Sequence, residues 1–283
     1  MIRVIVLSVD YKKRLFYAII NNKKYAFYLT NRMAKIYLPY LGRNVLVDFK
    51  VGKRQLKRYG QKLLYIYGVD YFNQIISLNP RKLLYDINLL RADMKDVLNK
   101  YDKFLFIDFE MTMPGFRKRQ FKPEIIQVGY YLVNKDLEVI KNDSYYLLPK
   151  NNNMINKRTI NFLSLNEYKY YGKAKDYHYF YNDLEKIINA YNPKLVVWGK
   201  NDIDVLQESY KIHQKKALTN QIMFIDLLKL HKDYYNLVND LGLFDAYQRY
   251  YQKENLNQVH DAKKDAYITK LVFKAFKEVL DNH

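Results

Sequence analysis

Apolar positions fall into short alternating runs over the first third of the chain and into longer, mixed runs after it. Within residues 2–84 the runs are IRVIVLSVD, RLFYAII, KKYAFYLT, GRNVLVDFKV and KLLYIYGVDYF, with NNKK and LGRN as turn signals between them. Alternation bounded by such turns predicts about five strands and a small closed β-barrel. Residues 86–100, DINLLRADMKDVLNK, place apolar side chains at 89, 90, 94, 97 and 98 and contain neither Gly nor Pro. That spacing predicts a connecting helix rather than a flexible linker. From Tyr101 onward FLFIDFEM, EIIQVGYYLV, EVIKNDSYYLL, LVVWG and IMFID predict strands, and helices are expected near 178–191, 202–214, 239–252 and 261–281. Strands that then alternate with helices predict an α/β unit, a mixed sheet with helices on its faces. The Tyr-dense stretch 168–181 reads as a surface loop and a helix start rather than a stacking platform.

The expected domains are therefore a β-barrel over 1–85, a helix over 86–100 and an α/β unit over 101–283. The chain has 283 residues, 49% of them hydrophobic, enough to bury two cores. It has no run of eighteen apolar residues, so no membrane-spanning helix is expected. The apolar start is broken early by Asp10, unlike a secretion signal. There are no cysteines, which removes disulfides and thiolate metal sites and predicts a cytoplasmic protein.

Charge sharpens this picture. The formal net charge is +19, and residues 1–100 hold 20 Lys+Arg against 6 Asp+Glu while residues 101–283 hold 28 against 23. AT-rich codon usage explains an overall excess of Lys, Asn, Ile and Tyr. It does not explain why the positive charge is concentrated in the predicted barrel. A polyanion partner, nucleic acid ahead of a membrane surface, is the physical expectation. Two opening strands, an aromatic third, a connection and then Gly-x-x-Val before the fourth strand resemble a cold-shock or OB-type barrel. The basic cluster 53-KRQLKRYGQK-62 would lie in its last hairpin.

The candidate chemistry begins at 104-FLFIDFEMTMP-114. Asp108 and Glu110 end an apolar strand and, two residues apart, share a face at a backbone spacing of about 7 Å. Buried acids need a partner, and without a basic neighbour a divalent cation is the natural one. The bland alternative is a strand end reaching solvent. In 195-LVVWGKNDIDVLQES-209 a strand runs out through Gly199, and Asp202 follows either as a ligand or as a helix N-cap; Asp204 is a rival further into the helix. In 260-HDAKKDAYITKLVFKAF-276, His260 and Asp265 would diverge by roughly 140° on a continuous helix. They meet only if Asp261 caps the helix and His260 lies before it.

Asp-x-Glu on a strand, Asp after Trp-Gly and His-x-x-x-x-Asp at a late helix, in this order, resemble the DEDDh family of 3′–5′ exonucleases over about residues 101–281. FIDFEMTMP, PEIIQVG and HDAKKDA look most similar to KapD-like and Eri-type members; the first hundred residues have no counterpart in the shorter ones. The resemblance implies an RNase H-like fold and a two-metal mechanism with two Mg²⁺ or Mn²⁺. Asp108, Glu110, Asp202 and Asp265 would be the metal ligands and His260 the general base. Met111 and Thr112 would meet the terminal nucleotide. Asp226 is left as a structural residue or helix cap. The implied substrate is a single-stranded nucleic acid, RNA ahead of DNA, shortened from its 3′ end to nucleoside 5′-monophosphates. The alternatives are a KapD-like regulator that binds a partner without cutting and an oligoribonuclease-like enzyme for very short RNA.

Overall fold

A computed structural model describes residues 1–115, 121–150, 155–237, 239–252 and 260–282. The chain divides into two compact units, Met1–Asp93 and Met94–His283.

In the first unit the strands are β1 (Ile2–Asp10), β2 (Leu15–Ile20), β3 (Lys23–Tyr28), β4 (Val45–Tyr59), β5 (Lys62–Leu78) and β6 (Arg81–Asp86), with helix α1 (Asn31–Tyr37) between β3 and β4. Antiparallel pairs join β1 to β2, β2 to β3, β1 to β4 and β4 to β5, and a parallel pair joins β3 to β5. The circuit β1-β2-β3-β5-β4-β1 is closed, so five strands form a barrel. Bulges in β4 between Asp48 and Arg54 let one long hairpin do two jobs. Its first half pairs with β1 at Leu46–Phe49, and Ile66 in its second half pairs with Ala26 of β3. Phe16, Phe27, Phe49 and Phe72 fill the barrel, with ring centroids from 4.9 to 6.1 Å apart. Met33, Ala34 and Tyr37 of α1 pack on this core. The sixth strand, β6, was not expected. Among the described residues it pairs with β5 alone, and its edge position leaves RKLLYD without the burial alternation that marks a strand.

Helix α2 (Ile87–Asn99) carries the chain into the second unit. There the strands are β7 (Lys103–Met111), β8 (Ile125–Asn134), β9 (Val139–Tyr146), β10 (Lys194–Val197) and β11 (Phe224–Asp226). They form one mixed sheet in the order β11-β10-β7-β8-β9, parallel on the β10 side of β7 and antiparallel on the β8 side. The helices are α3 (Lys157–Leu163), α4 (Glu167–Lys173), α5 (Tyr177–Tyr191), α6 (Asn201–Ile212), α7 (Leu227–Tyr235), α8 (Leu243–Tyr251) and α9 (Ala262–Asp281). Leu105, Ile107 and Phe109 of β7 meet Phe180, Leu184 and Leu206 of α5 and α6 on one face. On the other, Phe104 and Phe106 meet Phe273 of α9 at 4.9 and 5.2 Å. Helices on both faces explain why FLFI is continuously apolar rather than alternating.

The Tyr-dense stretch corrects its reading as a loop. It forms α4 and the start of α5, and Tyr170, Tyr177 and Tyr181 are buried. Helices α3 and α4 have seven residues each, too short to show a period; Asn156 and Asn166 cap them through their side chains. The strand expected over IMFID shrinks to Phe224–Asp226, and Asp226 caps α7 by accepting from Lys229 N–H at 3.0 Å.

Candidate active site

β7 is the central strand, and its last turn of pleat carries Asp108 and Glu110 on the face covered by α9. The register with β8 shifts between Glu110 and Met111. A bulge there increases the local twist and turns the strand end outward.

Asp202 does not cap its helix. Lys200 holds the N-cap position of α6, and the buried Asp202 carboxylate accepts from Phe109 N–H at 3.1 Å. The local fold explains this contact. β10 pairs with β7 over Phe104–Phe106 and no further, so the next backbone donors on that edge need another acceptor. Gly199, at φ +96°, turns the chain from β10 into α6 and brings Asp202 back over that edge. A positive φ of this kind favours glycine. Asp204 lies outside the group, exposed and paired with Lys200 at 3.0 Å.

The first turn of α9 supplies Asp265. Its position is set from β8. A Cβ on Gly129 would stand 2.1 Å from Lys263 N and 2.2 Å from Ala262 C, so only glycine admits the helix backbone here. Gln127, across from Glu110 in the register, donates to Asp261 Oδ2 at 3.0 Å. Asp261 in turn caps α9 by accepting from Lys264 N–H at 2.9 Å. His260 therefore precedes the helix, as the spacing required. One ligand atom from each of Glu110, His260 and Asp265 lies within 4.8 Å of the others.

His260 stacks on Phe162 of α3, with centroids 4.3 Å apart and planes at 27°. α3 is tied to the exit of β7: Asn156 Nδ2 donates to Met113 O at 2.7 Å, and Thr159 Oγ1 accepts from Met113 N–H at 2.9 Å. Thr112 is buried; its N–H donates to Glu124 O and its Oγ1 accepts from Glu124 N–H, both at 2.9 Å. Those bonds leave the hydroxyl its own proton to donate. Met111 is half-buried against the core.

The electrostatics follow from crowding. The Asp108 carboxyl is pushed well above the ordinary range, first by burial and then by the charges of Asp202, Asp265, Glu110 and Asp261. Burial, then Asp265 and Asp202, raises Glu110 to about 8. Burial raises Asp202 to about 7 against the opposing bond from Phe109, and burial with Asp261 raises Asp265 to about 7. Among the described residues the buried Asp265 Oδ1 has no hydrogen-bond partner. Hard oxygen donors that repel one another, one of them orphaned, fit a divalent cation. Gln127, Gly129 and Phe162 are the residues that sequence reasoning missed. Glycine inside an apolar strand signals close backbone approach, so PEIIQVG carried that signal; Phe162 had none.

Residues 105–273 match the exonuclease family. Comparison with curated proteins gave no match. Among solved structures, the nuclease domain of 3′hExo, a DEDDh family member bound to rAMP, is similar with a TM-score of 0.54 at 17% identity, over 64% of this chain and 93% of that one. Cell-death related nuclease 4 (CRN-4) gives a TM-score of 0.52 at 15% identity, over 63% and 64%. E. coli exonuclease I in complex with a dA16 oligonucleotide gives 0.50 at 18% identity, over 62% and 41%. A special likeness to KapD-like members is not among these findings. The chain belongs to the exonuclease family, and its second unit has the fold of these nucleases.

Proposed function

We propose that the protein is a metal-dependent 3′–5′ exonuclease that removes nucleoside 5′-monophosphates from a single-stranded nucleic acid, RNA in preference to DNA. The observation that carries this reading is the mutual crowding of Asp108, Glu110, Asp202 and Asp265 beside His260 in a chain of this family. The four carboxylates would hold a pair of divalent cations, Mg²⁺ or Mn²⁺. Such a pair stabilises both the attacking and the departing oxygen of an in-line displacement at phosphorus.

The residues of the chain do the rest. His260 accepts the proton of the attacking water, the general-base task of a positioned imidazole. Water oxygen bonds to the terminal phosphorus, the bond to the 3′ oxygen of the preceding nucleotide breaks, and that oxygen leaves protonated as a hydroxyl. Thr112 and Met111 meet the terminal nucleotide at the exit of β7. Phe162 keeps the His260 ring in place.

The first unit gives a second grip. We read its closed five-strand circuit, with a helix between the third and fourth strands, as an OB-type barrel, a scaffold for oligonucleotides. On its outer face Tyr17, Tyr28, Tyr59 and Leu64 pack around Leu15, Ala26 and Ile66. Lys57 and Arg14 lie over the Tyr28 ring at 3.8 and 5.2 Å, and Lys24 over Tyr17 at 4.6 Å. Cations interleaved with rings suit a flexible strand, phosphates to the cations and bases to the rings. The rAMP complex of the similar 3′hExo nuclease domain supports RNA, and the dA16 complex of exonuclease I makes DNA the competitor.

The test is shortening of 5′-labelled RNA and DNA strands with Mg²⁺ or Mn²⁺, with a chelator and Asp108→Ala as controls. Stepwise loss from the 3′ end, abolished in both controls, is expected. No shortening of either strand, or full activity in Asp108→Ala, overturns the proposal.

A further inference from the structure

A strand entering the site needs support behind the nucleotide being removed, and the outer face of α9 supplies a surface for it. Lys263, Tyr267, Lys270, Lys274 and Lys277 recur at steps of four, three, four and three residues, which aligns them in one stripe along the helix. Tyr267 and Lys274 are exposed, and the other three are half-buried. The stripe starts two residues before Asp265 and extends roughly 21 Å at 1.5 Å per residue, away from the carboxylates. β8 adds Tyr131 alongside. Its ring lies 5.5 Å from Tyr267, with Lys263 and Lys270 Nζ at 6.0 and 5.8 Å. Beyond Tyr131 stands Asn142 of β9, across from it in the register and exposed on the edge strand. Among the described residues the stripe thus borders the exposed edge of β9.

The lysines are not balanced locally. Among the described residues none of the four pairs with a carboxylate, whereas Lys95, Lys122, Lys141, Lys200, Lys211 and Lys232 all do. Asp281, further along α9, is committed elsewhere, to Lys95 at 3.5 Å. Like charges three and four residues apart destabilise a helix by a few tenths of a kcal/mol per pair. Burial and Lys274 lower the pKa of Lys270, so the stripe already feels its own repulsion. A polyanion lying along it removes that cost, and rings between the cations add faces for bases.

We infer that this stripe, with Tyr131, is the track for the substrate strand on the 5′ side of the site, its phosphates on the lysines and its bases on Tyr131 and Tyr267. The inference rests on the exonuclease reading and specifies where the substrate runs on the nuclease unit. The partner is single-stranded nucleic acid, because alternating rings and cations serve an unstacked strand and the stripe continues from the proposed site.

The experiment uses the full chain with a chelator, so that no strand is cut, and a 5′-fluorescent twelve-nucleotide RNA, with anisotropy read across a salt series. In Lys270→Gln/Lys274→Gln/Lys277→Gln the slope of log affinity against log salt is expected to fall by about 2, at roughly 0.7 per lost phosphate contact. Affinity at low salt should drop at least about ten-fold. Tyr131→Leu should weaken binding and leave the slope unchanged. If the triple variant melts early, the exposed Lys274→Gln alone should lower the slope by about 0.7. Wild-type affinity and slope in these variants, with a wild-type protein that shortens strands, overturn the track and leave the nuclease standing. Such variants losing affinity for an acidic peptide but not for RNA would assign the stripe to a protein partner and overturn it too. A wild-type protein that shortens no strand with Mg²⁺ or Mn²⁺ removes both readings.

Discussion

Gly129→Ala is a single added methyl group that should disable the site from the far side of a strand. The structure sets the size of the effect. The new Cβ would stand 2.1 Å from Lys263 N and 2.5 Å from Ala262 O, where ordinary contacts begin at 3.4 Å. The first turn of α9 must therefore retreat by more than 1 Å. Both sides of the clash are backbone, so no rotamer relieves it. The rest of α9 cannot follow freely, because Phe273 is buried against Phe104 and Phe106. Overpacking of this kind costs about 1–3 kcal/mol. The larger loss is in the reaction, since a misplacement of about 1 Å at a catalytic group lowers the rate about 10²-fold. Asp265 rides on the displaced turn, and His260 directly precedes it. The expected result is a chain with native circular dichroism, a modestly lower melting temperature and kcat reduced about 10²-fold or more. Gly172→Ala is the control: nothing lies within 4 Å of its added Cβ, and stability should hold or rise. Near wild-type kcat in Gly129→Ala would refute the argument that this contact positions the site.

Three further outcomes follow from the same geometry. Glu110→Gln should abolish activity yet stabilise the metal-free protein at pH 9, where both acids are charged, because Glu110 and Asp265 present oxygens within 4.8 Å and two such charges repel by about 3 kcal/mol at an effective dielectric of 20; denaturant melts with and without chelator check it. The folded-state pKa values of Glu110, Asp202 and Asp265 are raised from 4.5, 3.8 and 3.8 to about 8, 7 and 7, so the metal-free fold binds more protons than the unfolded chain and its stability should fall as pH rises from about 4 through about 8. Added Mg²⁺ or Mn²⁺ should restore it at the upper end, and a flat or rising metal-free profile would contradict the cluster. His260→Ala should slow turnover by about 10²–10⁴-fold, while Phe162→Ala should lower kcat less and Phe162→Tyr recover it, because the stacking partner and not its chemistry is what holds the imidazole.

Several parts of this protein can be read along the chain. The closed barrel, the mixed sheet and helices α5, α6 and α9 are legible because each buries one regular face, and burial imprints a period on the residues. The loop position of His260 is legible too, since Asp261 is a strong N-cap and a continuous helix would carry His260 away from Asp265. Short elements are not legible in this way. α3 and α4 are shorter than the period needed to recognise them, and β6 meets a single neighbour.

What the residue order alone determines here is local: which segments bury which faces, where helices start, and which acids end strands. It left Asp202 open between ligand and cap, and it gave no role to Gln127, Gly129 or Phe162. Those questions turn on contacts between residues far apart in the chain. Asp202 finds its donor ninety-three positions away at Phe109, because β10 ends early and leaves that edge of β7 unpaired. Gly129 matters only because α9 returns across β8. Side-chain periodicity reports how a segment faces the core, and only the packed structure decides which other segment it meets there.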